Sequence, residues 1–128
     1  MEYEIMSKKN VFEIEVIKCF TGKPRYRYSK DIAPGEEDTS GERFRTEFLL
    51  PHLKNNEKVH VILTGYNRYD PSFLISGFAD LIRVNGYTYD QLKQQLSYTH
   101  DDLKSFEVLI DDEMTIAEKE RIAKQAKA

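Results

Sequence analysis

The chain has 128 residues, a mass of 15.0 kDa, a net charge of -3 and a pI near 5.6, a length that fits one domain over residues 1–128. With 40% hydrophobic and 32% charged residues, it is too apolar for a disordered tail and too polar for a membrane span, and its slight acidic excess argues against phosphate-driven nucleic-acid binding. The single Cys19 cannot form an internal disulfide, and the first residues lack the apolar run of a signal peptide, so a cytoplasmic setting is expected.

Residues 2–6 and 11–18 read as two strands joined by the polar turn at residues 7–10, because Phe12, Ile14 and Val16 alternate with Glu13 and Glu15. Residues 19–40 carry Gly22, Pro24, Pro34 and Gly35 with many charges, which predicts a loop. A connection this long in a small domain is more often functional or mobile than incidental. Thr39-Ser40-Gly41-Glu42 has capping-box spacing and opens a first helix, in which Phe44, Phe48, Leu49 and Leu53 recur on one side. Arg43 and Glu47 pair one turn apart on the polar side, and Pro51 kinks or ends the helix.

Residues 58–66 suit a central strand. Asp70-Pro71 then starts a second helix that runs to about Val84, with Leu74, Phe78, Leu81 and Ile82 buried and Asn85-Gly86 as its stop. Thr88-Tyr89-Asp90-Gln91 repeats the capping-box spacing and opens a short third helix through Leu96. Residues 106–110 read as a short strand, Asp111-Asp112-Glu113 as the acidic start of a C-terminal helix, and residues 123–128 as a frayed tail. The order β-β-loop-α-β-α-α-β-α predicts an α/β fold on the border of α+β, a mixed sheet of about four strands packed with helices.

Candidate chemistry begins at Ser72, which falls in the first turn of the second helix beside Asp70. Unpaired amides and the positive end of the helix dipole would partly stabilise a phosphoryl group there, while Asp70 would oppose its charge. The plainer role for Ser72 is to help cap the helix. Ser72, Ser76, Ala79, Asp80 and Arg83 lie along one small, polar side of that helix, which is either a docking strip for a protein partner or an ordinary solvated face. Gly77 inside the helix hints at a close approach.

The loop holds Lys23, Arg25, Arg27 and Lys30 interleaved with Tyr26 and Tyr28, followed by Asp31, Glu36, Glu37, Asp38 and Glu42. Its basic half could meet the phosphates of a nucleotide or nucleic acid, with the tyrosines stacking on bases. Against that stand the neighbouring acids, which oppose the field of those bases. Enzyme and cofactor signatures are missing: there is no Gly-rich phosphate loop, no nucleophile elbow and no metal-spaced His or Cys pair. His52, His60 and His100 read as packing or surface residues, and Cys19 as a buried, inert thiol. Helix starts account for His100-Asp101-Asp102 and Asp111-Asp112-Glu113.

From about Pro24 onward the chain resembles the bacterial STAS-like domains of unknown function, relatives of the STAS domains of anti-sigma-factor antagonists. The resemblance is carried by Pro24-Arg25, by Ser40-Gly41-Glu42-Arg43-Phe44-Arg45, and by Ser72-Phe73-Leu74 followed by Phe78 and Leu81-Ile82-Arg83. It implies a sheet covered by helices and a non-enzymatic role in protein–protein regulation without a cofactor. It also implies phosphorylation at the position of Ser72 by a histidine-kinase-like ATP-binding partner, with Asp70 as the preceding acid. Pro71 and Phe73 stand where the antagonists carry small residues around that site.

Two readings of function follow. In the first, the chain is a regulatory module docking a protein partner through Asp70, Ser72, Ser76, Asp80 and Arg83. In the second, it binds a nucleotide or nucleic acid through Lys23, Arg25, Arg27 and Lys30.

Overall fold

The computed structural model describes residues 11–127, so the expected strand at residues 2–6 and its turn lie outside the described residues. Strand β1 is Val11–Glu15, and from Val16 to Phe20 the chain closes into a wide helical turn, with the Thr21 amide donating to the Val16 carbonyl at 3.0 Å. The expected strand through residue 18 therefore stops three residues early. The turn swings Phe20 into the core beside Val16 and leaves Cys19 exposed, so the thiol expected to be buried is at the surface.

The long loop is held at both ends of its excursion. Arg25 donates its amide to Thr39 at 3.0 Å, and Gly41 and Glu42 donate theirs to Tyr26 and Arg27 at 3.0 and 3.1 Å, so the basic stretch runs beside the entry to the next helix. Helix α1 (residues 41–54) has Ser40 rather than Thr39 as its cap, the hydroxyl accepting from Arg43 N–H at 3.1 Å. Glu42 does not close the expected capping box; its carboxylate accepts the Ser29 amide at 2.8 Å and ties the loop to the helix. Residues Phe44–Leu49 are π-helical, with the Leu50 N–H reaching back to the Arg45 carbonyl, and the helix continues through Pro51 to Lys54.

Strand β2 (Lys58–Ile62) is followed by helix α2 (residues 71–83), started by Asp70 and Pro71 as the sequence predicts and π-helical from Ile75 to Ala79. Gly86 ends it with φ +80°, and the Tyr87 amide returns to the Leu81 carbonyl at 3.1 Å, the left-handed stop that glycine adopts without steric cost. Helix α3 (Tyr89–Gln95) carries the expected capping box, Thr88 and Gln91 exchanging bonds of 2.9 and 3.0 Å.

Two corrections follow downstream. The helix expected through Leu96 ends one residue earlier, at Gln95, and Leu96–Thr99 form strand β3, which was not expected from the sequence, with Leu96 and Tyr98 turned inward. Residues 106–110 are not a strand: helix α4 runs from Ser105 to Lys127, burying Ile110, Met114 and Ala117 at spacings of four and three. Asp111-Asp112-Glu113 thus lies well inside α4, and the described part of the expected frayed tail, residues 123–127, stays helical.

The protein is mixed α/β, with 56% of the described residues helical. Among the described residues the sheet has three strands in the order β1-β2-β3, all parallel, where a mixed sheet of about four was expected. Ile14, Val61 and Tyr98 lie in register across it and are buried, together with Val59 and Leu96. The intervening row, Glu13, His60 and Ser97, faces the opposite way and is half-buried or exposed. Among the described residues, one face of the sheet is apolar and buried and the other is polar. No described helix is long and apolar enough to cross a membrane.

Candidate functional site

Ser72 is half-buried in the first turn of α2. Its amide donates to the Asp70 carboxylate at 3.0 Å, and the amides of Phe73 and Leu74 return to the Asp70 carbonyl at 2.9 and 3.2 Å. Proline at the first helical position supplies a fixed φ where no N–H is needed. The result is a turn in which the Ser72 amide is already engaged by the Asp70 carboxylate acting as the cap.

The remaining residues of the proposed strip do not form an open surface. Ser76 is fully buried and Asp80 is 7% exposed. What approaches this side of α2 is the chain's own helix α1. A Cβ on Gly41 would stand 2.3 Å from the Phe73 carbonyl oxygen and 2.9 Å from the Ser76 Cβ, whereas one on Gly77 would meet its nearest neighbour, a Phe44 ring carbon, at 3.4 Å. The close approach hinted at by Gly77 thus exists, but within the molecule, and Gly41 is the glycine that it requires.

Across this contact Arg45 of α1, 4% exposed, donates to the Ser76 carbonyl and to its hydroxyl, the latter at 3.2 Å, and pairs with the Asp80 carboxylate at 3.5 Å. Asp80 also meets Arg83 at 3.5 Å, and Arg83 forks onto Glu120 of α4 at 2.7 and 3.3 Å. Glu120 holds the Arg83 guanidinium above its ordinary pKa. Ser76, Asp80 and Arg83 are therefore members of an internal polar network joining α1, α2 and α4. Sequence reasoning did not single out Arg45, because a lone arginine in an amphipathic helix carries no mark of burial.

The basic residues of the loop are placed differently from one another. Lys23 and Arg25 are exposed and line an open cleft of about 680 Å3 with Gly22, Tyr66, Arg68, Tyr69, Asp70 and Pro71. Arg27 is half-buried, while Lys30 is exposed on the far part of the loop over the Tyr28 ring. The structure thus brings half of the basic loop to the turn that carries Asp70 and Ser72. Arg68, also exposed, joins them without any sequence motif to announce it.

His100 is wholly buried at the end of β3. Its Nδ1 accepts the amides of Asp102 and Leu103 at 3.1 and 2.9 Å, which leaves Nε2 to donate to the Tyr66 carbonyl at 2.9 Å. It is the histidine, rather than the aspartates after it, that organises this turn. His60 bridges Ser97 and Thr99 at 2.6 and 3.0 Å on the open face of the sheet, and His52 contacts Glu57 at 2.7 Å and stacks on Phe12. No cluster of three or more His, Cys, Asp or Glu residues suited to a metal occurs among the described residues.

Several carboxylates are held below their ordinary pKa. Burial pushes Asp38 and Asp111 up, but hydrogen bonds from Ser29 and Ser40 to the first, and from Tyr89 to the second, outweigh it. Glu107 is lowered by the His100 amide, Glu118 by Arg121 and Glu120 by Arg83. A carboxyl whose pKa is lower in the folded than in the unfolded chain stabilises the fold above its unfolded value, and that contribution disappears as pH falls through the folded value. Thermal melts are expected to be level from neutral pH down to about 5 and to fall steadily below about 4, where unfolded Asp and Glu take up protons. Melting temperatures that stay unchanged at pH 3 would contradict this.

No family model, no curated protein and no solved structure matches the chain.

Proposed function

We propose that the chain is a cytoplasmic, STAS-like regulatory module that binds a protein partner, a histidine-kinase-like ATPase, and is switched by phosphorylation of Ser72. The observation that carries this reading is the turn at α2, where the half-buried Ser72 gives its amide to the Asp70 carboxylate at 3.0 Å. A phosphoryl group on the Ser72 hydroxyl would contest the same amide and be repelled by Asp70, so added charge would rearrange the turn while the core stays folded. A sheet with helices on one face supports the STAS-like assignment. The docking surface in this reading is smaller than the strip expected from sequence. It comprises Asp70, Ser72 and the adjoining loop, because Ser76 and Asp80 are inside.

The test mixes the purified chain with histidine-kinase-like ATPases from its own cell, with magnesium and ATP, and reads complex formation and intact mass. Gain of one phosphoryl group, abolished in Ser72→Ala, is expected, and Ser72→Glu should change partner affinity roughly fivefold or more. Absence of both complex and phosphorylation overturns the reading.

A further inference from the structure

We propose that the cleft beyond the carboxyl ends of β1 and β2 binds a small phosphate-bearing ligand, held by Lys23, Arg25 and Arg68 against a wall formed by Tyr66. In open α/β sheets the loops after the carboxyl ends of the strands are where small ligands lodge, because the helices cannot close over them. Here those loops are residues 16–25 and 63–70, and they bound a space of about 680 Å3, within the range of small-molecule sites.

The cleft carries more positive than negative charge. Lys23, Arg25 and Arg68 form no ion pair among the described residues, and the one carboxylate lining the space, Asp70, is engaged by the Ser72 amide. The acids that follow the basic loop in sequence remain near it, Glu36 and Glu37 lining an adjoining cleft together with Lys23 and Arg25, but neither forms an ion pair with these cations among the described residues, and Arg68 does not line that cleft. Three cations against the one carboxylate of Asp70, which keeps its charge, leave a cationic excess that suits an anion of more than one charge, and arginine's fork matches phosphate oxygens in particular.

The wall is built to stay in place. Tyr66 is gripped through its carbonyl by His100 at 2.9 Å, and its ring meets Tyr69 edge-on with centroids 5.1 Å apart. Tyr69 is in turn anchored by its hydroxyl to the Leu63 carbonyl at 3.0 Å. On the opposite side the buried Pro24 and the bond from the Arg25 amide to Thr39 fix the backbone between the two loop cations. A fixed backbone beneath the exposed Lys23 and Arg25 lowers the cost of organising them around a ligand.

The experiment is calorimetric titration of the whole chain, without any partner, with pyrophosphate and with ADP. Saturable binding of at least one, weakened about tenfold or more in Arg68→Ala and in Lys23→Ala, is expected from the loss of a charge-assisted hydrogen bond. Lys30→Ala, a loop cation outside the cleft, should bind as the parent does. Tighter binding of ADP assigns the Tyr66 wall to a nucleoside, and equal binding assigns the site to the phosphate groups alone; both support the proposal. Absence of binding by both ligands at millimolar concentration overturns it, as does an equal loss in Lys30→Ala. Because neither the partner nor Ser72 enters the titration, its outcome is independent of the switch proposed above.

Discussion

Arg45→Ala is expected to lower stability by about 3 kcal/mol, a fall in melting temperature on the order of 10 °C for a domain of this size. Arg45 is 4% exposed and holds three acceptors of α2: the Ser76 carbonyl, the Ser76 hydroxyl and the Asp80 carboxylate at 3.5 Å. Truncating it removes a buried donor from both Ser76 oxygens and one of the two cations beside Asp80, and weakening the compensation of a buried charge costs more than the pair stabilises. Arg83, 3.5 Å from the other Asp80 oxygen, remains as partial compensation and keeps the loss near the lower end of the range. The double variant Arg45→Met with Asp80→Leu removes both charges while filling the space, and should recover most of the loss. Thermal or urea unfolding reads both. A melting temperature for Arg45→Ala equal to the parent's would show that the pair is not buried as described.

The second large effect is at Gly41. Replacing glycine by alanine inside a helix ordinarily stabilises by roughly 0.5–1 kcal/mol, since the unfolded chain loses freedom. Here the sign is expected to reverse, because the new Cβ would stand 2.3 Å from the Phe73 backbone carbonyl, and a backbone atom cannot rotate away as a side chain could. Helices α1 and α2 must part, at a cost of about 1–3 kcal/mol or more. Gly77→Ala is the control: its nearest neighbour is a ring carbon at 3.4 Å, so the change should be much smaller. Urea midpoints for the two variants give the comparison directly, and a Gly41→Ala protein as stable as its parent would refute the close packing of the two helices.

Much of the local structure is legible in the sequence, because short-range rules decide it. Asp70-Pro71 starts α2, Asn85-Gly86 stops it and Thr88…Gln91 caps α3, each through bonds between residues a few positions apart. The buried stripe Leu74, Phe78, Leu81, Ile82 follows from helical period alone. The misses share a different cause. Residues 106–110 are short and apolar enough for a strand, and only the continuation of Ile110, Met114 and Ala117 onto the core makes them a helix. Leu96–Thr99 becomes a strand because β2 offers it a parallel edge, a partner far away in sequence.

For the candidate site the division is sharper. The chain order alone places Ser72 in the first turn of a helix beside Asp70, and it makes the loop from Lys23 to Lys30 basic. Side-chain period along α2 also groups Ser76, Asp80 and Arg83, but period cannot tell whether the element facing that side is solvent, another protein or helix α1. Tertiary packing decides that question by laying Gly41 and Arg45 on it. It likewise carries Arg68 to Lys23 and Arg25, so that cations from two distant segments line one cleft. Hydrogen bonds and periodicity act over a few residues and can be read along the chain, whereas burial and charge compensation depend on which distant segments meet, and only the folded structure determines that.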